Sequence, residues 1–314
     1  MSKKTVVSAA LCAAAGAGVL AAGQYFFHFA CSRSSRILSS SADEDQPVSE
    51  LRQMHRKAKA DLLNVPYTEV EIISKDGLKL KGKYYPNPNA ERAVLCAHGY
   101  RGSAEGDFGT IWQMLKDSCA LLLIDERACG ESEGQYITFG ALEKDDIVRW
   151  ANKLAGLTDG RLPVYLFGIS LGSSTVLLTQ DQGLCAEVKG IIADCGYSSM
   201  KKILGEVAWD WFRLPPFPLI DSVGLFCRIQ GHFRMKDADV TAALRKAVVP
   251  VLFIHGTGDH FVRPHHTEIN EQACACEHTT VLFEDAPHGS SCVSDPEKYR
   301  KTLEDFFRKT EESV

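Results

Sequence analysis

Val164-Tyr165-Leu166-Phe167-Gly168-Ile169-Ser170-Leu171-Gly172-Ser173-Ser174-Thr175-Val176-Leu177-Leu178 passes from an apolar run, through a Gly-x-Ser-x-Gly pentapeptide, into a helix-compatible stretch. The order strand, pentapeptide, helix carries more weight than the pentapeptide itself. A serine between two glycines can occupy a sharp, strained turn, because its small neighbours let other backbone come close. Its hydroxyl then projects from the sheet edge, and the Leu171 amide points to where an oxyanion would form. The plainer alternative is a glycine-rich turn with an incidental serine; the strand before it and the helix after it weigh against that.

Outward from this turn, apolar strands and helical stretches alternate. Strands are predicted at Val70–Ile73, Leu78–Tyr85, Ala93–Ala97, Ala120–Ile124, Val164–Phe167, Val188–Ala193, Val251–Ile254 and Thr279–Phe283. Helices are predicted near Gly109–Lys116 and Leu142–Leu154, after Ser170, and from Asp295-Pro296 onward, with Tyr299, Leu303, Phe306 and Phe307 on one face. Near-continuous apolar strands between helices imply a mostly parallel sheet covered on both faces, with its crevice at the carboxyl ends of the strands. Between Asp194 and Pro250 no clear strand is found, but Trp209, Trp211, Phe212, Phe217, Phe226 and Phe233 are, interrupted by Pro215, Pro216 and Pro218. So long an excursion reads as a helical cap, at about 197–247, over an apolar pocket. The four aromatics from Trp209 to Phe217 are its expected substrate-binding side chains.

A serine hydroxyl is a poor nucleophile near neutral pH, so it needs a base, and the base needs an orienting acid. Asp259 follows the strand Val251–Ile254, and His288 follows Val281-Leu282-Phe283. Both come after Ser170, in the order Ser, Asp, His, on loops beyond strand ends. The second oxyanion donor is expected after Ala93–Ala97, where His98-Gly99 precedes the Tyr100 amide; His98 itself reads as a brace for that loop. Asp194, ending the strand after the nucleophile's, is the rival acid. Metal ligation by Asp259, His260, His265 and His266, or by Cys274, Cys276 and His278, lacks the paired spacing such sites use. Cys274 to His278 reads as helix, and Cys292 as a loop residue. No metal and no cofactor is expected.

These residues resemble the α/β-hydrolase superfamily, in particular a serine-aminopeptidase-like bacterial branch with an N-terminal hydrophobic segment. The resemblance covers roughly Tyr67 to Phe307. It rests on Ser74-Lys75-Asp76-Gly77, His98-Gly99-Tyr100, the block from Asp125 to Gly134, Gly168 to Gly172, His255-Gly256-Thr257-Gly258-Asp259 and Pro287-His288-Gly289. It implies an α/β-hydrolase fold, a mostly parallel twisted sheet flanked by helices, with the helical cap inserted before the acid-bearing strand. It also implies Ser170 as nucleophile, His288 as base, Asp259 as its orienter, and the Tyr100 and Leu171 amides as oxyanion hole. One departure stands out: Ala128 occupies the first glycine position of the family's D-x-R-G-x-G-x-S-x-G block.

With 314 residues, 45% of them hydrophobic, the chain can build a large core, and a net charge of −5 excludes a general nucleic-acid binder. Lys3 and Lys4 precede an uncharged stretch, Thr5 to Ala30, ending in Tyr25, Phe26, Phe27 and Phe29. It is long enough to span a bilayer, with its aromatics suited to the interface. Residues 1–31 are therefore expected as an anchor or signal segment, 32–64 as linker and helix, and 65–314 as the hydrolase body. The linker is serine-rich, then acidic from Asp43 to Asp45; Pro47 can open a helix with Leu51, Met54, Ala58 and Leu62 on one stripe. A cleavage site could follow Gly23, although continuing apolar residues favour an uncleaved anchor. The body is read as lying outside the cytoplasm, against eleven irregularly spaced cysteines that fit a reducing surrounding better. Secretion after cleavage and a cytoplasmic body are the alternatives. The expected activity is a serine hydrolase acting on a small or lipid-like carboxylic ester. An amidase or peptidase, an acyltransferase, and a catalytically silent binding protein are its rivals.

Overall fold

The computed structural model of the chain describes residues 3–34 and 50–312. Eight strands form one sheet: β1 (Thr68–Ile73), β2 (Lys79–Tyr85), β3 (Arg92–Ala97), β4 (Cys119–Ile124), β5 (Val164–Ile169), β6 (Val188–Asp194), β7 (Val251–Gly256) and β8 (His278–Phe283). Their order is β1-β2-β4-β3-β5-β6-β7-β8. The first two are antiparallel to their neighbours; from β4 to β8 every pairing is parallel. Every residue of β4, β5 and β7 is buried, as expected of strands with helices on both faces. All eight overlap the strands predicted from apolar runs or, for β1 and β2, from alternation.

The helices are α1 (Lys3–Cys31), α2 (Glu50–Leu63), α3 (Ala104–Leu115), α4 (Glu143–Leu157), α5 (Leu171–Leu177), α6 (Met200–Phe212), α7 (Pro216–Ile229), α8 (Val240–Leu244), α9 (His265–Ala273), α10 (Ser291–Ser294) and α11 (Pro296–Glu312). Helices α6 to α8 fill the stretch between β6 and β7, where the cap is expected. α3 begins five residues before the predicted start, because Ser103 caps it, accepting from the Gly106 amide, with Glu105 and Asp107 in the first turn. Gly109, which obscures this helix in the sequence, lets α2 approach: a Cβ there would lie 2.8 Å from the Ala58 carbonyl carbon. α9 ends at Ala273, not beyond. Cys274 is extended and the Ala275 amide turns to the Leu244 carbonyl, so Cys274–Cys276 form a connection and His278 opens β8 opposite Val251.

The N-terminal segments are more integrated than an anchor and a linker. Phe27, Phe29, Ala30 and Cys31 are buried in the main core. The Cys31 carbonyl accepts from Ile137 N at 2.8 Å, and the Arg33 guanidinium donates to the Ser132 and Gly130 carbonyls. On α2, Ala58 and Leu62 are buried while Met54 is exposed. Pro47 and the Asp43–Asp45 run fall outside the described residues. All eleven cysteines are free. Ala128 adopts φ 60°, so the turn after β4 keeps the left-handed conformation glycine would take there, at a cost of about 1 kcal/mol.

Candidate active site

The sheet register brings the carboxyl ends of its central strands to one edge. Ala97 pairs with Gly168, Ile169 with Asp194, and Gly256 with Phe283, so the loops that follow converge. Ser170 sits one residue past β5 with φ 56°, ψ −112°. A non-glycine residue held there stores roughly 1–3 kcal/mol of strain. The turn is locked from both sides: the Ser170 amide donates to the Asp194 carbonyl (2.9 Å) and the Gly172 amide to the His98 carbonyl (3.1 Å). Both glycines are sterically required. A Cβ on Gly168 would lie 2.2 Å from the Gly172 carbonyl carbon, and one on Gly172 would lie 2.1 Å from the Ala97 oxygen. Gly172→Ala is therefore expected to destabilise the fold by roughly 3 kcal/mol or more, read as a fall in denaturation midpoint together with loss of activity.

The structure brings together the three residues read in chain order. His288 Nε2 lies 2.9 Å from Ser170 Oγ, and its Nδ1 lies 2.6 Å from Asp259 Oδ2. The other Asp259 oxygen, Oδ1, accepts from the Phe261 and Val262 amides, both at 2.9 Å. Burial by itself would raise the Asp259 carboxyl; hydrogen bonds from His255 and His288 outweigh it and hold the group at about 2. Ionised Asp259 therefore accepts the Nδ1 proton of His288 and leaves Nε2 facing the serine as an acceptor. The Phe261 ring stands edge-on to the imidazole, 5.1 Å away, and fixes its plane.

The loop after β3 supplies the facing wall. Tyr100 and Ser170 border both cavities at the site, and Leu171 borders the narrower one. Gly99 N donates to Asp107 on α3 (2.6 Å), which fixes the loop. His98 is fully buried, accepting from Glu126 N on Nε2 and donating from Nδ1 to the Gly99 carbonyl, so it acts as a brace. The rival acid is engaged elsewhere: His288 Nδ1 is bonded to Asp259, while the Asp194 carboxyl takes the Tyr299 hydroxyl at 2.8 Å. Burial, against that hydrogen bond, pushes it up to about 6.

Of the remaining candidates, His260 is exposed, and the others have structural partners. His265 and His266 both contact Glu206 of α6 (3.0 and 3.2 Å), and Arg263 pairs with Asp210 of the same helix. His266 Nδ1 accepts from Ser198, so its Nε2 proton points at the glutamate. These contacts clamp the cap to the body. The Cys274 and Cys276 sulfurs are 3.5 Å apart, with His278 Nδ1 on the Cys276 carbonyl. Cys292 is buried in α10, which raises its thiol.

Two cavities meet at Ser170. One is a wide cleft of about 740 Å³, lined by His55, Lys59, Arg101, Ser103, Asp107 and His288 among others. The other is a slot of about 50 Å³ walled by Phe29, Phe139, Ile203, Val207, Trp211 and Phe261. Of the four cap aromatics, only Trp211 lines it. Residues 203, 204, 207 and 211 share one face of α6, which turns Trp209 outward; Phe212 packs on Phe26 and Phe29, and Phe217 is exposed beyond the prolines. Several lining residues are not ones the sequence pattern marks for the site, among them Phe29 and Ala30 from α1 and His55 and Lys59 from α2. His255 is not marked for the site either; its Nε2 proton is shared between the Val262 carbonyl (2.7 Å) and Asp259 Oδ2 (3.3 Å). For His255 a signal existed, since it stands four residues before Asp259.

No protein-family model matches the chain. It is 25% identical over 247 residues to YqkD of Bacillus subtilis, covering 79% of this chain and 81% of that protein. It is 22% identical over 253 residues to an uncharacterized membrane protein of Saccharomyces cerevisiae, covering 79% and 81%. Among solved structures, the Pyrococcus furiosus esterase Pf2001 is similar at a TM-score of 0.61 and 22% identity, over 79% of this chain and 92% of that one. The α/β hydrolase GrgF from Penicillium is similar at 0.59 and 14%, over 78% and 99%. The chain thus has the α/β-hydrolase fold.

Proposed function

We propose that the protein is a serine hydrolase that cleaves carboxylic esters through an acyl-enzyme. The observation that carries this is the hydrogen-bonded line from Ser170 through His288 to a buried, ionised Asp259 at a strained turn. His288 takes the Ser170 proton as Oγ attacks the ester carbonyl, and the developing oxyanion is received by the Tyr100 and Leu171 amides. The protonated imidazole then gives its proton to the departing alcohol. Water attacks the acyl-enzyme with the same histidine as base, releasing the acid and restoring the serine.

The two cavities suit the two halves of such a substrate. His288 borders the wide cleft and not the slot, and it must reach the leaving oxygen. The alcohol therefore occupies the polar cleft beside His55 and Lys59, and a short apolar acyl group occupies the slot. Fluorophosphonate labelling, with turnover of p-nitrophenyl esters of graded chain length, tests this; no labelling of Ser170 would overturn it. Trp211→Ala, which opens the slot, is expected to raise kcat/KM for medium-chain relative to short-chain esters by about tenfold. An unchanged chain-length profile would place the acyl group elsewhere.

We also read α1 as a membrane anchor. Thr5–Cys31 has the length and apolarity to cross a bilayer, and only 7% of its most apolar window is buried in the protein. Recovery of the full chain with membranes after alkaline carbonate washing is the expected result.

A further inference from the structure

The cap carries an apolar face that extends beyond the candidate active site and shares Trp211 with its slot. From Trp211 to Pro218 every residue is exposed, and Arg213 is the only charge among them. Phe217 is 75% and Trp209 53% exposed; Leu225 and Ile229 of α7 are exposed too. So many large apolar side chains in one place mark a surface that something covers.

Their position relative to α1 identifies the cover. Helix α1 leaves the body along α7. Near the body Cys31 lies against Cys227; further out, Ser222 Oγ donates to the Val19 carbonyl (3.1 Å), and a side chain on Gly23 would collide with Ser222. Moving toward the N-terminus of α1 thus moves toward the N-terminal end of α7, where Leu214 to Phe217 lie. The Phe212 ring meets Phe26 and Phe29 edge-on, at 4.9 and 5.5 Å. A hydrocarbon layer of about 30 Å takes ~20 helical residues. Counted from Thr5, that length ends near Gln24, next to the Ser222 contact and two residues from the Phe212 contact. The body-side boundary of the bilayer therefore falls at the level of Phe212 and Ser222, and the exposed run after Phe212 lies at or within it.

We propose that Trp209 and the segment from Trp211 to Pro218 form a second membrane contact, inserted into the interfacial layer of the leaflet from which α1 emerges. This rests on α1 being a span, as read above, and is independent of the hydrolase activity. The composition suits that layer: tryptophan and phenylalanine favour it, and a lone arginine can extend its head toward phosphates. Because Phe29 and Trp211 also wall the apolar slot, the slot begins where lipid chains would lie.

The test uses the full chain in vesicles of dioleoylphosphatidylcholine, compared with the same lipid brominated on its acyl chains. Of the four tryptophans, Trp150 is fully buried and Trp112 lies on α3. Brominated lipid is expected to quench the emission strongly, and the W209F/W211F double variant is expected to lose that quenching several-fold while still floating with the vesicles. Equal quenching in parent and double variant, on protein that floats, would overturn the proposal with the anchor left standing. Protein that fails to float would overturn both anchor and proposal, whatever the esterase assay reads.

Discussion

Ser170→Ala is expected to lower kcat on a short p-nitrophenyl ester by about 10⁵–10⁶-fold and to abolish fluorophosphonate labelling, with the protein still folded. Alanine keeps the serine's Cβ, so the backbone at φ 56° and the packing against Gly99 are unchanged. The lost hydrogen bond to His288 is replaced by water, because that imidazole is about a quarter exposed to the cleft. His288→Ala should cost about as much, and the double variant no more than either, since nucleophile and base act in one step. Full activity in Ser170→Ala would remove the nucleophile assignment. Additive losses in the double variant would mean the two residues act separately.

Which features were readable from sequence follows from how each is built. Strands buried on both faces appear as unbroken apolar runs, of which Cys119-Ala120-Leu121-Leu122-Leu123-Ile124 is the plainest, while the half-exposed β1 and β2 appear as alternation. Ser170 and Asp259 were readable because each sits on a loop after such a run; His288 follows the half-exposed β8, where Val281-Leu282-Phe283 is the apolar mark. The cap was readable as an interruption of the rhythm, but its phase was not. Which aromatic of α6 faces the slot depends on where the helix is seated by the Glu206 and Asp210 clamps, and only Trp211 does so. The contribution of α1 was hidden for a different reason. A hydrophobic leader looks the same whether it ends at the membrane or continues into a core; the difference lies in contacts more than a hundred residues away, such as Phe29 with Phe212. His55 and Lys59 were hidden likewise, since α2 reaches the cleft only by packing Ala58 on Gly109.

Helix α1 and the site are thus one structure. The Tyr100 hydroxyl, on the loop offering the proposed oxyanion amide, donates to the Ala30 carbonyl at 2.6 Å, and Arg101 donates to the Ser32 carbonyl at 2.7 Å. The loop that would stabilise the transition state is thereby held by the last turn of the helix that would hold the protein in the bilayer. Phe29 and Ala30 also pack into the core and wall the slot, whereas Ser32 offers this arrangement its backbone carbonyl.

Asp259→Asn is expected to reduce kcat at neutral pH by about 10³–10⁴-fold while KM changes little, and the reason is specific to this loop. The Phe261 and Val262 amides both donate to Oδ1, so the asparagine oxygen is forced into that position and its NH₂ group must face His288. An NH₂ donating to Nδ1 places the imidazole proton on Nε2, where it points at Ser170 Oγ. The histidine then cannot accept the serine proton, although every heavy atom keeps its place. Stability follows a separate course with pH. In the parent the Asp259 carboxyl lies at about 2, below its unfolded value near 3.8, so its ionisation stabilises the fold by about 2 kcal/mol above pH ~4. That contribution fades as the pH falls from about 4 to about 2. Asp259→Asn should therefore flatten the acid limb of the denaturation curve over that window. Loss of activity with an unchanged acid limb would mean that Asp259 is not the ionised partner of His288; wild-type turnover in the variant would move the orienting role to Asp194.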